Sequence, residues 1–185
     1  MRPTQAGFSM LEILISIVIM VVGLLGFLGL QARAQVAEVE AYQRGQALIL
    51  VQDMVDRLNT NRKTAGCYAA QTLGTGAGTP SCTAAAGTTE TRAIATQDLQ
   101  DWHNALLGAG ETLGGANVGA IIGARGCITY NGATGIYRVA VAWQGLAPTV
   151  APNAADASAT CGLNQYGDEA QRREVSTSLM IANLN

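Results

Sequence analysis

The sequence predicts an α+β fold: a long N-terminal helix, transmembrane and then amphipathic, packed against a small antiparallel β-sheet in a disulfide-stabilised head. Three observations carry that prediction. Ile13 to Leu30 is a run of 18 residues without a charge. From Gln31 to Arg62 the apolar residues settle onto one helical face. In the C-terminal third, bulky residues alternate with small or polar ones at the period of two that belongs to strands.

At about 1.5 Å per residue the uncharged run makes ~27 Å of helix, close to the ~30 Å of a bilayer's hydrocarbon core. A simple anchor would explain it. So would a cleavable secretory signal, since Ala32-Arg33-Ala34 has the small-x-small form of a cleavage site. Against the signal, the run is longer than the usual ~7–15 residues, and only Arg2 supplies a basic side chain ahead of it. Neither explanation accounts for Glu12. A carboxylate costs ~2.5–3.5 kcal/mol at the centre of a membrane helix and less toward its end. No basic residue lies within one turn of Glu12. A cut after Gly7 would create a cation at the same depth, the α-amine of Phe8, in the same chain or in a neighbour.

Beyond Gln31, Ala47, Val51, Met54 and Leu58 recur at helical spacing, flanked by Leu48 and Val55. Asp53 and Arg57 form an i,i+4 pair on the polar side. No proline interrupts Phe8 to Arg62, so one helix of about 80 Å is expected. Gly23, Gly26 and Gly29 each weaken a helix interior by roughly 1 kcal/mol. They fit plain tolerance in a membrane helix, close helix packing or local unwinding.

After Arg62 the composition changes. "TLGTGAGTPSC" reads as a flexible loop ending at Cys82. "TQDLQDWHNALLG" reads as a short helix with Leu99, Trp102 and Leu106 on one face, stopped by Gly108. His103, beside that face, reads as a surface or edge residue. "GAGETLGGANVGAIIGARG" is punctuated by glycine, yields no element, and lacks the strand and G-K-[ST] of a phosphate loop.

"GCITY" and "GIYRVAVAW" flank "NGATG", a hairpin signal. Tyr137, Val139, Val141 and Trp143 form the bulky face; Arg138, Ala140, Ala142 and Gln144 form the other. "REVSTSLMIANL" puts Val175, Thr177, Leu179 and Ile181 on one side. Three such strands laid on the Ala47–Leu58 stripe would close a core. The long segment between the last two strands is irregular and tied down by Cys161. Its Asp168-Glu169 and Arg172-Arg173 read as surface charge, with a docking surface for a neighbouring subunit as the alternative.

Four cysteines, Cys67, Cys82, Cys127 and Cys161, all follow the apolar run. None forms a C-x-x-C pair and His103 is the single histidine, so no zinc site is expected. An even count beyond a membrane segment fits disulfides in an oxidising compartment. Of three possible pairings, proximity favours Cys67–Cys82 and Cys127–Cys161, and a loop of the first size contributes roughly 3 kcal/mol.

The formal charge is −2 with 13% charged residues and no basic block, which leaves no footprint for nucleic acid. No Ser/His/Asp set or metal cluster can be assembled around one histidine. An enzyme, a metal and a cofactor are therefore not expected.

Gly7-Phe8-Ser9-Met10-Leu11-Glu12 resembles the type IV prepilin processing signal: a short leader, glycine before the cut, phenylalanine first in the mature chain, glutamate fifth. The resemblance implies cleavage after Gly7 and N-methylation of Phe8 by prepilin peptidase, an aspartyl membrane enzyme. It also implies that Glu12 pairs with a Phe8 amine during assembly. The chain would then divide into leader 1–7, membrane and assembly helix 8–30, amphipathic helix 31–62 and globular head 63–185. Related pilins melt near Gly23–Gly29, often beside a proline that is missing here. "ALILVQDMVDRLNTNR", "YRVAVAWQG" and "CGLNQYGDEAQRR" further resemble PilV-type minor pilins of type IVa pili. That implies a low-abundance subunit, held in the inner membrane before assembly and in the surface pilus after it. With other minor pilins it would prime assembly and support a tip adhesin, and so adhesion and twitching. A minor pseudopilin of type II secretion and a major pilin share the leader and the helix.

Overall fold

The computed structural model describes residues 7, 9–84, 87–119, 121–152 and 159–181. Two compact units, Met1–Val39 and Glu40–Asn185, share the helix α1, Met10–Thr60.

In the first unit the helix is unbroken through Gly23, Gly26 and Gly29, and open space surrounds all three. The large apolar side chains from Met10 to Leu30 are exposed on every side of the helix. A helix apolar all round cannot satisfy that surface in water. Its length and composition suit a bilayer.

In the second unit α1 is one-sided. Gln43, Ala47, Val51, Met54 and Leu58 are its buried residues, the stripe read from the sequence extended one turn toward the N-terminus. The stripe shares a core with Trp102, Leu73, Ile128, Val139, Val141 and Trp143. After Thr60 the chain tightens into a 3₁₀ segment, Arg62–Cys67.

The main sheet has four strands where the sequence pattern shows three. In chain order the strands are β1 (Gln71–Gly74), β2 (Thr112–Leu113), β3 (Ala116–Asn117), β4 (Arg125–Asn131), β5 (Ile136–Gln144) and β6 (Arg172–Met180). The sheet order is β1-β4-β5-β6, antiparallel throughout, while β2 and β3 form a separate ribbon. β1 overturns the reading of Thr72–Gly74 as flexible loop. Its signal is too short to register, and β4 supplies the pairing from across the sequence. The ribbon lies in the glycine-punctuated segment and turns on Gly114-Gly115, both at positive φ, the backbone that a two-residue hairpin turn requires.

The second helix, α2 (Thr89–Leu106), begins at Thr89 rather than Thr96. Thr88 and Thr91 cap its start reciprocally, a capping box with threonine where glutamate or glutamine is usual. Ala95, Leu99, Trp102 and Leu106 are buried. Trp102 donates from Nε1 to the Leu50 carbonyl of α1 at 2.8 Å, so its polar end is satisfied in the core. Gly126 of β4 makes this possible, because a Cβ there would lie 2.4 Å from the indole.

Candidate functional site

Chemistry-bearing residues fall into two groups, one at the start of α1 and one in the head. At the start, Gly7 is exposed ahead of the helix, and Phe8 and residues 1–6 lie outside the described residues. Ser9 caps α1: its Oγ accepts from the Leu11 amide (3.3 Å) and its carbonyl from the Glu12 amide (3.0 Å). Glu12 therefore stands three residues past the cap, in the first turn. Negative charge there is favoured by the unpaired amides and the helix dipole, by about 0.3–1 kcal/mol. By charge alone Glu12 reads as uncompensated, but Ser9-x-x-Glu12 has capping-box spacing, a signal already present in the sequence. Among the described residues no cation is ion-paired with it. The backbone thus tolerates the carboxylate without using up its capacity for a full positive charge.

The bulky face of β5 is buried as its alternation implies, but Ala140 and Ala142 on the other face are buried too. Cys161 and Tyr166 cover them, and a disulfide joins Cys161 to Cys127 on β4. The second disulfide joins Cys67 to Cys82. Both are the pairs that proximity favours. Tyr166 donates to the Gly123 carbonyl at 3.0 Å, and burial pushes its phenol up to about 12.

The charges at 168–173 correct the surface reading. Arg172 is fully buried. Its Nε contacts Glu169 Oε2 at 2.6 Å and its Nη1 contacts Glu174 Oε2 at 2.9 Å. Nη1 also donates to the carbonyls of Ala159 and Cys161. Arg138 approaches the other oxygen of Glu174 at 3.3 Å. Arg172 and Glu174 share a face because β6 is a strand, and an i,i+2 reading of the sequence could have paired them. Arg173 points the other way, to Glu40 of α1 at 3.3 Å and to the Ala147 carbonyl. Glu40 also accepts from the amides of Leu146 and Ala147, fastening the 145–149 loop. No local sequence pattern signals a contact between residues so far apart.

The Asp53–Arg57 pair forms as spaced, at 3.0 Å, and Arg57 reaches Asp98 of α2 at 3.1 Å. Tyr68 donates to the same Asp98; burial and this bond raise its phenol pKa. His103 is half-buried, and its Nδ1 accepts from the Gly74 amide at 3.1 Å, a structural contact that fixes its tautomer. Among the described residues no group of acidic, histidine or cysteine side chains has the arrangement of a metal site.

The apolar first half of α1 fits a membrane anchor, and the disulfide-tied α+β fold is pilin-like. Two family matches carry this further. Residues 2–28 match the prokaryotic N-terminal methylation motif, and residues 29–99 match the family described as Type IV pilin Tt1218. Both matches support a type IV pilin, a structural family whose members are processed at the N-terminus and assemble with other subunits into a pilus. No curated protein and no solved structure matches.

Proposed function

We propose that this pilin is a minor subunit of a type IV pilus, cut by prepilin peptidase between Gly7 and Phe8 and methylated on the new amine. The carrying observation is register: Gly7, Phe8 and Glu12 stand at fixed spacing before the uncharged run, within the match to the methylation motif. Residues 1–7 are the leader and 8–30 hold the subunit in the inner membrane. Residues 31–62 continue as the amphipathic helix, and 63–185 make up the rest of the exported head. Cutting exposes an ammonium one residue before the cap Ser9. In an apolar surrounding, the pairing of that amine with a neighbour's Glu12 relieves two desolvated charges at once. The subunit is thereby retained in lipid until a partner is available.

The minor role is supported by the resemblance of the 47–62, 137–145 and 161–173 stretches to PilV-type minor pilins. On this reading the subunit joins other minor pilins in a complex that primes assembly and supports a tip adhesin at the cell surface. The test is its abundance in sheared filaments together with the effect of deleting the gene. A minor pilin is present at a small fraction of the main subunit, and its loss abolishes surface pili while enzyme secretion continues. Bulk abundance would make it a major pilin. Lost secretion with intact pili would make it a pseudopilin.

A further inference from the structure

The two edges of the main sheet differ. β1 is four residues long and stops at Gly74, whereas β6 runs nine residues in uninterrupted register with β5. The phase of the ladder follows from one bond: the Gly145 amide donates to the Gln171 carbonyl at 2.7 Å, just past the Gln144–Arg172 pair. Residues 172, 174, 176, 178 and 180 are then the non-hydrogen-bonded members, whose N–H and C=O point away from β5. Among the described residues, no main-chain hydrogen bond leaves Glu174–Met180 on that side.

Natural edges are blunted by lysine, proline, bulges or short length. Val175–Met180 has none of these: its residues are Val, Ser, Thr, Ser, Leu and Met. Ser176 and Ser178 are exposed and small, so nothing bulky shields the row. On the opposite face, Val175 and Leu179 are only half-buried at the margin of the core. A strand laid alongside would complete both the ladder and that margin.

We infer that the free edge of β6 receives an extended segment of another pilus subunit, added as a fifth strand. Main-chain groups of Glu174, Ser176, Ser178 and Met180 supply the hydrogen bonds. Specificity comes from alternate apolar side chains of the guest seated beside Val175 and Leu179, with small or polar ones beside Ser176 and Ser178. The inference rests on the pilus-subunit reading above.

Proline scanning of the full-length subunit separates edge from interior. In Ser178→Pro the lost N–H is an outward one, so the head keeps its ladder and both disulfides. Incorporation into sheared pili should nevertheless fall by about tenfold or more, while Ser178→Ala stays within about twofold. Hydrogen exchange on the wild-type chain gives a second readout that needs no variant. The Ser176 and Ser178 amides should exchange freely in the detergent-solubilised subunit and become protected in filaments. Normal incorporation of folded Ser178→Pro, or fast exchange in filaments, overturns the inference. So does protection already present in the isolated subunit, which would mean that the chain fills its own edge. Absence of the wild-type chain from pili would instead overturn the pilus reading itself.

Discussion

The two halves of α1 are the same secondary structure held for different reasons. Around Ile19 the apolar side chains are all exposed, about half or more of each, and among the described residues none is buried in a core. Around Met54 every turn places a residue in a closed core with α2 and the sheet. A bilayer or a bundle of neighbouring helices must supply for the first half what the head supplies for the second. The first half is therefore an element whose stability is completed only by other molecules, as suits an assembling pilin. The second half is completed within the chain.

Substitutions should separate the halves cleanly. Met54→Ala, at a fully buried position, should destabilise the head by about 2–5 kcal/mol. Ile19→Ala in the same detergent-solubilised chain should leave head unfolding unchanged within about 0.5 kcal/mol. Urea titration of both variants is the check, and a similar loss from Ile19→Ala would erase the distinction.

The disulfides belong wholly to the second region and differ in span. Replacing Cys127 and Cys161, separated by 34 residues, by serine should cost about 4 kcal/mol; the 15-residue Cys67–Cys82 pair should cost about 3. Neither change should lower the helical signal of the membrane half in circular dichroism.

Glu12→Ala sharpens the comparison from the other side. It should lose no more than about 1 kcal/mol of local helix stability, leave the head intact and still be cut after Gly7. Its recovery in sheared filaments should nonetheless fall by about tenfold, because the proposed pairing with the neighbour's amine would be lost. Immunoblotting of membrane and filament fractions measures this.

An effect confined to alkaline pH concerns the two buried tyrosines. Tyr68 and Tyr166 have phenols raised above their ordinary 10, so the folded head keeps protons that the unfolded chain releases. Their contribution is present in full below pH 10 and is lost as pH rises toward 12. Tyr166→Phe should flatten that fall by about 1–3 kcal/mol between pH 10 and 12, read from unfolding at each pH.

What was legible in the sequence was local and periodic. The apolar run, the Ala47–Leu58 stripe and the β4–β5 hairpin are written at 3.6 or 2 residues per repeat, with Asn131-Gly132 marking the turn. The Ser9 and Thr88 caps were also written, but the second uses Thr91 in place of an acidic residue and passes for loop. β1 depends on a partner more than fifty residues away, and four residues cannot announce it. The cover over Ala140 and Ala142 was hidden because glycine- and alanine-rich segments carry little pattern. Arg172 looked like surface charge because adjacent arginines are usually solvated; strand geometry instead sends Arg172 and Arg173 to opposite faces. At the N-terminus, residue identities gave the spacing of Gly7, Phe8 and Glu12, while the helix start at Ser9 added the electrostatics.

The proposed cut between Gly7 and Phe8 would make the cation that Glu12 lacks. Mass spectrometry of the mature N-terminus from cells tests it most directly. A chain beginning with N-methylated Phe8 is the expected result. A chain beginning at Gln35, or one retaining residues 1–7 in assembled pili, would contradict it.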